Sequence, residues 1–208
     1  MIGMIFLMSG CADKNAHLKN TGFLNSYEEL ESSDSFSASK MAKNADIANY
    51  NKLYIAPIKV VFGTLENTES AEQKKLSNEI SKYVKAGYIR EIKKSKKYKI
   101  VETADADTLV LESAISAVET HLDDKKWNQF SPIAMDITVT SYNSYADGNV
   151  RILGEKRISA GESSTPLFES KNIMKDEKIS LQGDTLEFED VKEALDGWIE
   201  HVKSYFAY

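Results

Sequence analysis

The sequence has 208 residues, 42% hydrophobic and 28% charged, which fits one ordinary globular domain with an extension. A net charge of -6 and a pI near 5.2 exclude the domain-wide basic footprint that nucleic-acid binding requires. The single cysteine excludes an internal disulfide and any multi-cysteine metal site.

Residues Met1 to Cys11 form a short apolar run that closes on that cysteine. The run resembles a bacterial lipoprotein signal, with Met8, Ser9, Gly10 and Cys11 in the places of the lipobox. Residues 1–10 are therefore expected to be a signal peptide and Cys11 the acylated, palmitate-bearing N-terminus, an anchor whose strength comes from buried methylenes at about 0.8 kcal/mol each. No Lys or Arg precedes the run, whereas secretory signals carry a basic start. As a helix it is too short to span a bilayer, which takes about 20 residues.

From Cys11 to Asn51 the composition is polar and lacks a sustained period, so 11–51 is read as a tether. Forty relaxed residues reach on the order of 35 Å. Within it, residues 21–30 (Thr-Gly-Phe-Leu-Asn-Ser-Tyr-Glu-Glu-Leu) are more apolar and are expected to pack on the domain. Ser37-Ala38-Ser39-Lys40 matches the S-x-x-K of serine acyl-transfer enzymes, but its companion motifs are absent and a tether cannot hold the geometry.

The folded domain is assigned to 52–208. Leu53 to Phe62 is β-branched and aromatic, hence a strand, and Pro57 marks an edge or a bulge. Ser70-Ala71-Glu72-Gln73 is a capping-box pattern, and Leu76, Ile80, Val84, Tyr88 and Ile92 follow at helical spacing, predicting a helix over 70–94 with Gly87 as its weak spot. Tyr98 to Glu102 supplies a strand that can lie parallel to the first. Thr108 to Val118 predicts a long strand, with helix as its competitor because Ala and Glu are frequent, and Ile133, Met135, Ile137 and Val139 alternate as another strand. Asp147-Gly148 is a hairpin signal before an antiparallel return over 150–158. Ser159 to Asp184 reads as a long loop with one short strand near Ile179. A last helix carries Phe188, Val191, Leu195, Trp198 and Val202 on one stripe, with Asp184 or Thr185 as its cap. The expected fold is a single α+β domain: a mostly antiparallel sheet of about five strands, with a β-α-β start and then a hairpin, covered by two main helices.

The lipobox, the stretch at 21–30, Tyr54-Ile55-Ala56-Pro57-Ile58, Asp105-Ala106-Asp107-Thr108-Leu109-Val110-Leu111, the hairpin and the Trp198-bearing helix occur in an order that resembles the domain-of-unknown-function 3313 family of proteobacterial lipoproteins. That resemblance implies an envelope lipoprotein facing the periplasm from the outer membrane, and it supplies no reaction and no catalytic residues. Ala12 follows the cysteine where Asp would signal inner-membrane retention, in keeping with outer-membrane sorting.

Candidate site residues are few. His17 lies in the tether, His201 flanks the apolar stripe of the last helix, and His121 with Asp123 and Asp124 falls short of the four or so donors a metal needs, so no metal and no cofactor are expected. Arg90, Lys93, Lys94, Lys96, Lys97 and Lys99 form the densest basic run, suited to anionic head groups or an acidic partner, or simply to the negative end of a helix. Trp127 and Phe130 in a polar link are candidate interface anchors or, equally, residues that fold back over the sheet edge, with Tyr142 and Tyr145 a weaker pair. The function expected is a non-catalytic interaction or scaffold module with a membrane anchor, an envelope protein partner and no nucleic acid. The alternatives are a periplasmic hydrolase with an unrecognised site, or a lipid or small-ligand carrier.

Overall fold

The computed structural model describes residues 22–32, 37–61, 71–122, 146–173, 177–181 and 188–206. The strands among them are β1 (Glu31–Ser32), β2 (Ser37–Met41), β3 (Lys52–Ile55), β4 (Lys59–Val60), β5 (Lys99–Val101), β6 (Thr108–Leu122), β7 (Ala146–Ala160), β8 (Pro166–Ile173) and β9 (Glu177–Leu181). The helices are α1 (Ala71–Lys93) and α2 (Phe188–His201), the latter running into a 3-10 turn at Val202–Phe206. All nine strands join one sheet in the order β1-β2-β8-β7-β6-β3-β5, with β4 paired to β6 and β9 to β7.

The expected single α+β domain and its two helices are present, but the sheet is larger than five strands and mixed. β3 lies parallel to both β5 and β6, and β4 is also parallel to β6, whereas the remaining pairings are antiparallel. The parallel half is the β-α-β start, with α1 as its crossover. The predicted strand over 53–62 is interrupted at Pro57, which has no N–H for a ladder. Ala56 still donates to the Leu111 carbonyl at 3.0 Å, and the chain rejoins β6 where Val61 donates to Ile115 at 2.8 Å.

Three further expectations are corrected. The polar tether assigned to 11–51 is partly sheet, because β2 pairs with β8 along its whole length, and a 3-10 turn at Ile47–Asn49 buries Ile47 before β3. The loop assigned to 159–184 contains β8 as well as the expected strand near Ile179, now β9. Asp147 and Gly148 do not turn the chain; they lie inside β7, opposite Ser180 and Ile179 of β9. In each case backbone pairing prevails over a polar or turn-forming composition. The strand expected over 133–139 and the cap at Asp184 or Thr185 lie outside the described residues.

The two helices cover one face of the sheet. α1 buries Leu76, Ile80, Val84, Tyr88 and Ile92, each one turn after the last, and α2 buries Val191, Ala194, Leu195, Trp198 and Ile199. They meet Leu53, Ile55, Leu109, Leu111, Ile115, Ile152 and Ile158 of the sheet in a single core. A fully buried aliphatic side chain contributes roughly 1.5–3 kcal/mol, so this stripe outweighs the cost of about 1 kcal/mol for Gly87 inside α1. Gly87 is also needed there: a Cβ would lie 2.6 Å from Ile199 Cδ1, so the glycine lets α1 and α2 approach. Across the same seam the Tyr83 hydroxyl donates to Asp196 Oδ1 at 2.7 Å.

The opposite face is covered by the N-terminal stretch. Phe23 and Leu24 are buried against Ala114, with Tyr27 and Leu30 packed beside them, as expected for residues 21–30. Arg157 fixes the contact by pairing with Glu112 at 2.6 Å and donating to Asn25 Oδ1 at 2.8 Å.

α1 ends at Lys93 through a turn in which Lys96 N–H donates to the Lys93 carbonyl at 3.2 Å, and Lys96 holds φ at 58°. A side chain is strained in that left-handed region, where glycine is not. Lys96→Gly is therefore expected to raise stability by about 0.5–1 kcal/mol, net of the added freedom of the unfolded chain, as read by denaturant melts.

Candidate functional site

Strand register brings Ser113 of β6, Lys156 of β7 and Ser170 of β8 into one row on the helix-covered face. Side chains two apart on a strand share a face, so Lys156 sits between Ile158 and Gly154 and points where Ile152 and Ile158 point. It is 1% exposed. Its Nζ lies 4.6 Å from the Trp198 ring centre and 4.7 Å from that of Tyr205, both carried by the C-terminal helical segment. Gly154 admits Trp198, since a Cβ there would come within 2.2 Å of the indole nitrogen. Tyr88 of α1 closes the roof with its ring 5.5 Å from that of Trp198.

This row is polar in a buried place. Tyr88 OH, Ser113 Oγ, Lys156 Nζ, Ser170 Oγ and Trp198 Nε1 are all buried without a hydrogen-bond partner. Tyr205 OH donates to Asn172 Oδ1 at 3.0 Å. Burial pulls the Lys156 ammonium down from 10.5 to about 7 and pushes the Tyr88 hydroxyl well up. His201, whose ring meets Tyr205 edge-on at 5.4 Å, is also lowered, by burial and then by the Lys156 charge. A lysine poised this way beside serines is the composition of a nucleophile and its base. That chemistry needs an Oγ–Nζ hydrogen bond, and none of the three atoms makes one.

The sequence reading missed Lys156. Its signal was available in the alternation Ile152, Gly154, Lys156, Ile158, which places a lysine on an apolar face. The S-x-x-K match fails on the same periodicity: Ser37 and Lys40 are three apart in β2 and face opposite ways, and Lys40 pairs with Glu29.

The expected basic run lies at the end of α1 and the start of β5. Arg90, Lys93, Lys94, Lys96 and Lys99 are exposed, and Lys97 is half-buried over the Tyr98 ring at 5.0 Å. Arg90 and Lys94 bracket Glu91 at 3.2 and 2.6 Å, and Lys94 first, then Arg90, hold that carboxyl below its ordinary range. Trp127, Phe130, Tyr142 and Tyr145, like His17 and the Asp123 and Asp124 beside His121, lie outside the described residues. Among the described residues no cluster of three metal-ligating side chains occurs, and no helix is long and apolar enough to cross a membrane.

At the end of the sheet where β3 and β6 begin, Asn44, Asp46, Asn49, Tyr50, Lys52, Asp107 and neighbours line a depression of about 600 Å³. Asp105 organises its wall. It accepts from Lys52 Nζ at 2.7 Å, Thr108 Oγ1 at 2.5 Å and Asp107 N–H at 3.1 Å, and these bonds, Lys52 first, lower its carboxyl to about 2.

The chain matches the family described as "Protein of unknown function (DUF3313)" over residues 19–202, and it belongs to that family. No curated protein is significantly similar to it. Among solved structures it is similar to a PelC dodecamer from Paraburkholderia phytofirmans at 9% identity, covering 80% of this chain and 96% of that one with a TM-score of 0.40. It is similar at 9% identity to a putative neuraminyllactose-binding hemagglutinin homolog from Helicobacter pylori, covering 76% and 81%, with a TM-score of 0.36. A DUF4136 family protein from Bacteroides thetaiotaomicron shares 14% identity over 82% and 93%, with a TM-score of 0.36. Likenesses this distant do not bear on what the chain does.

The row makes a prediction about pH. Folded, Lys156 holds its proton only below about pH 7, whereas the unfolded chain holds it up to about 10.5. The unfolded state thus binds more protons between those limits, and stability rises with pH across them by up to about 1.4 kcal/mol per unit from this residue. Lys156→Met should be more stable at neutral pH and lack that slope in denaturant melts run in a buffer free of binding ions. An unchanged slope would contradict the burial of the amine.

Proposed function

We propose that the protein is a non-catalytic, lipid-anchored envelope module, held through Cys11 at the periplasmic side of the outer membrane on a short leash. The lipobox resemblance ending at Cys11 supports the anchor, and the burial of Phe23 and Leu24 on the helix-free face of the sheet sets the length of the leash. Eleven residues separate Cys11 from Phe23. A relaxed chain of that length spans on the order of 18 Å, half the reach of a tether running to residue 51. A domain so tied stays beside the membrane and presents its rim to whatever lies there. The basic rim at Lys93, Lys94, Lys96 and Lys99 suits an acidic partner or anionic head groups, each cation adding about 1 kcal/mol near such a surface.

Packing weighs against the carrier reading. Large buried side chains, Trp198, Tyr88, Leu53, Ile80 and Ile115, occupy the layer between helices and sheet, and Trp198 sits directly over Gly154, a packing at odds with a lipid-sized cavity.

Metabolic labelling with palmitate should tag the protein, and Cys11→Ala should abolish the label and release the domain from the membrane fraction. Retention of label or of membrane binding in the variant would overturn the anchor. The triple variant Lys93→Glu, Lys94→Glu, Lys96→Glu should keep the label yet lose crosslinked neighbours; unchanged crosslinking would remove the basic rim from the account.

A further inference from the structure

We propose that the row Ser113–Lys156–Ser170, roofed by Tyr88, Trp198 and Tyr205, is a binding site for one small monovalent anion of the chloride type. Five polar groups along the row are buried with no hydrogen bond formed, Tyr88 OH, Ser113 Oγ, Lys156 Nζ, Ser170 Oγ and Trp198 Nε1, although Tyr88 lies beside Ser113 and Ser170 beside Tyr205. Folded proteins pair roughly nine in ten or more of their buried polar groups, and each one left alone costs about 1–3 kcal/mol. A group of five in one place points to an absent common partner.

The chemistry of the five says what that partner is. A lysine ammonium and an indole N–H only donate, and serine and tyrosine hydroxyls rotate to donate. Of the neighbouring acceptors, Asn172 Oδ1 receives the Tyr205 hydroxyl. On β7 the neighbouring carboxylate, Glu155, points to the other face, in register with Lys171. The site therefore offers one positive charge and a shell of donors, the complement of an anion. The row is sealed from solvent, with Tyr88 and Trp198 0% exposed, which favours a small ion over a large one.

Proton and anion would bind together. The groups facing Lys156 are Ser113 of β6, Ser170 of β8, Tyr88 of α1, Trp198 and His201 of α2, and Tyr205 of the 3-10 turn, and among these described residues none is a carboxylate. With no internal counter-ion the amine tends to the neutral form, and an anion beside it restores the charge. Affinity should then strengthen as pH falls from alkaline to neutral.

The test uses the full chain in chloride and in gluconate at equal ionic strength, gluconate being too large to enter. Chloride should raise the melting temperature by about 3 °C or more, with a larger shift at neutral than at alkaline pH. Lys156→Met should show no shift, and the Ser113→Ala, Ser170→Ala double variant gives the same readout should Lys156→Met fail to fold. A crystal soaked in bromide should show an anomalous peak against Lys156 Nζ. Density for an ordered water without an anomalous signal, or an equal chloride response in wild type and Lys156→Met, would overturn the proposal.

Discussion

The antiparallel pairing of β6 with β7 is the constraint from which the rest of the structure hangs. Each strand runs for fifteen residues, and between them they carry β3, β4, β8 and β9 as direct neighbours. Their register also decides which side chain meets which. Because side chains alternate, one set of pairs aims Leu111, Ser113 and Ile115 of β6 at the helices with Ile158, Lys156 and Gly154 of β7, and the other aims Glu112 and Ala114 at the N-terminal stretch with Arg157 and Glu155. A slip of one residue would exchange the two sets and bring Arg157 and Glu155 under Trp198. The 2.6 Å ion pair between Arg157 and Glu112 and the seat of Trp198 on Gly154 each favour the same register from opposite faces.

Both faces are covered, yet they are covered differently. The helix side is an aliphatic and aromatic core with one polar row set into it. The other side is a charged surface on which Phe23 is held between Lys59 and Arg157, each 5.4 Å from its ring centre. Contacts of that kind are worth about 0.5–1 kcal/mol at exposed sites and more when desolvated. They are reinforced by Asn25, whose N–H donates to Glu169 at 2.6 Å, so the N-terminal stretch is fixed by several separate interactions. The N-terminal stretch is thereby part of the domain.

The legible parts of the sequence were those with a strong period. Leu76, Ile80, Val84, Tyr88 and Ile92 announced α1, and Phe188, Val191, Leu195, Trp198 and Val202 announced α2, because a half-buried helix must repeat its apolar residues every three or four. β2 and β8 escaped because Ser-Ala-Ser-Lys-Met and Glu-Ser-Lys-Asn carry no apolar alternation; they are held by ladder hydrogen bonds and by partners on both sides. Asp147-Gly148 read as a turn on local chemistry and was overridden by pairing with β9. The family was legible in the order of its motifs. Asp105, within one of them, proves to be the residue that ties the start of β6 to Lys52 of β3. Lys156 was hidden by its polar neighbours Glu155 and Arg157, although they point the other way.

The N-terminal stretch sewn to one face and the basic rim at the end of α1 are the features on which the proposed membrane anchoring rests. The most direct measurement is neutron reflectometry of the acylated protein on a supported bilayer. The short leash predicts that the domain begins within about 20 Å of the head groups. A solvent gap approaching the roughly 35 Å of a forty-residue tether would contradict it.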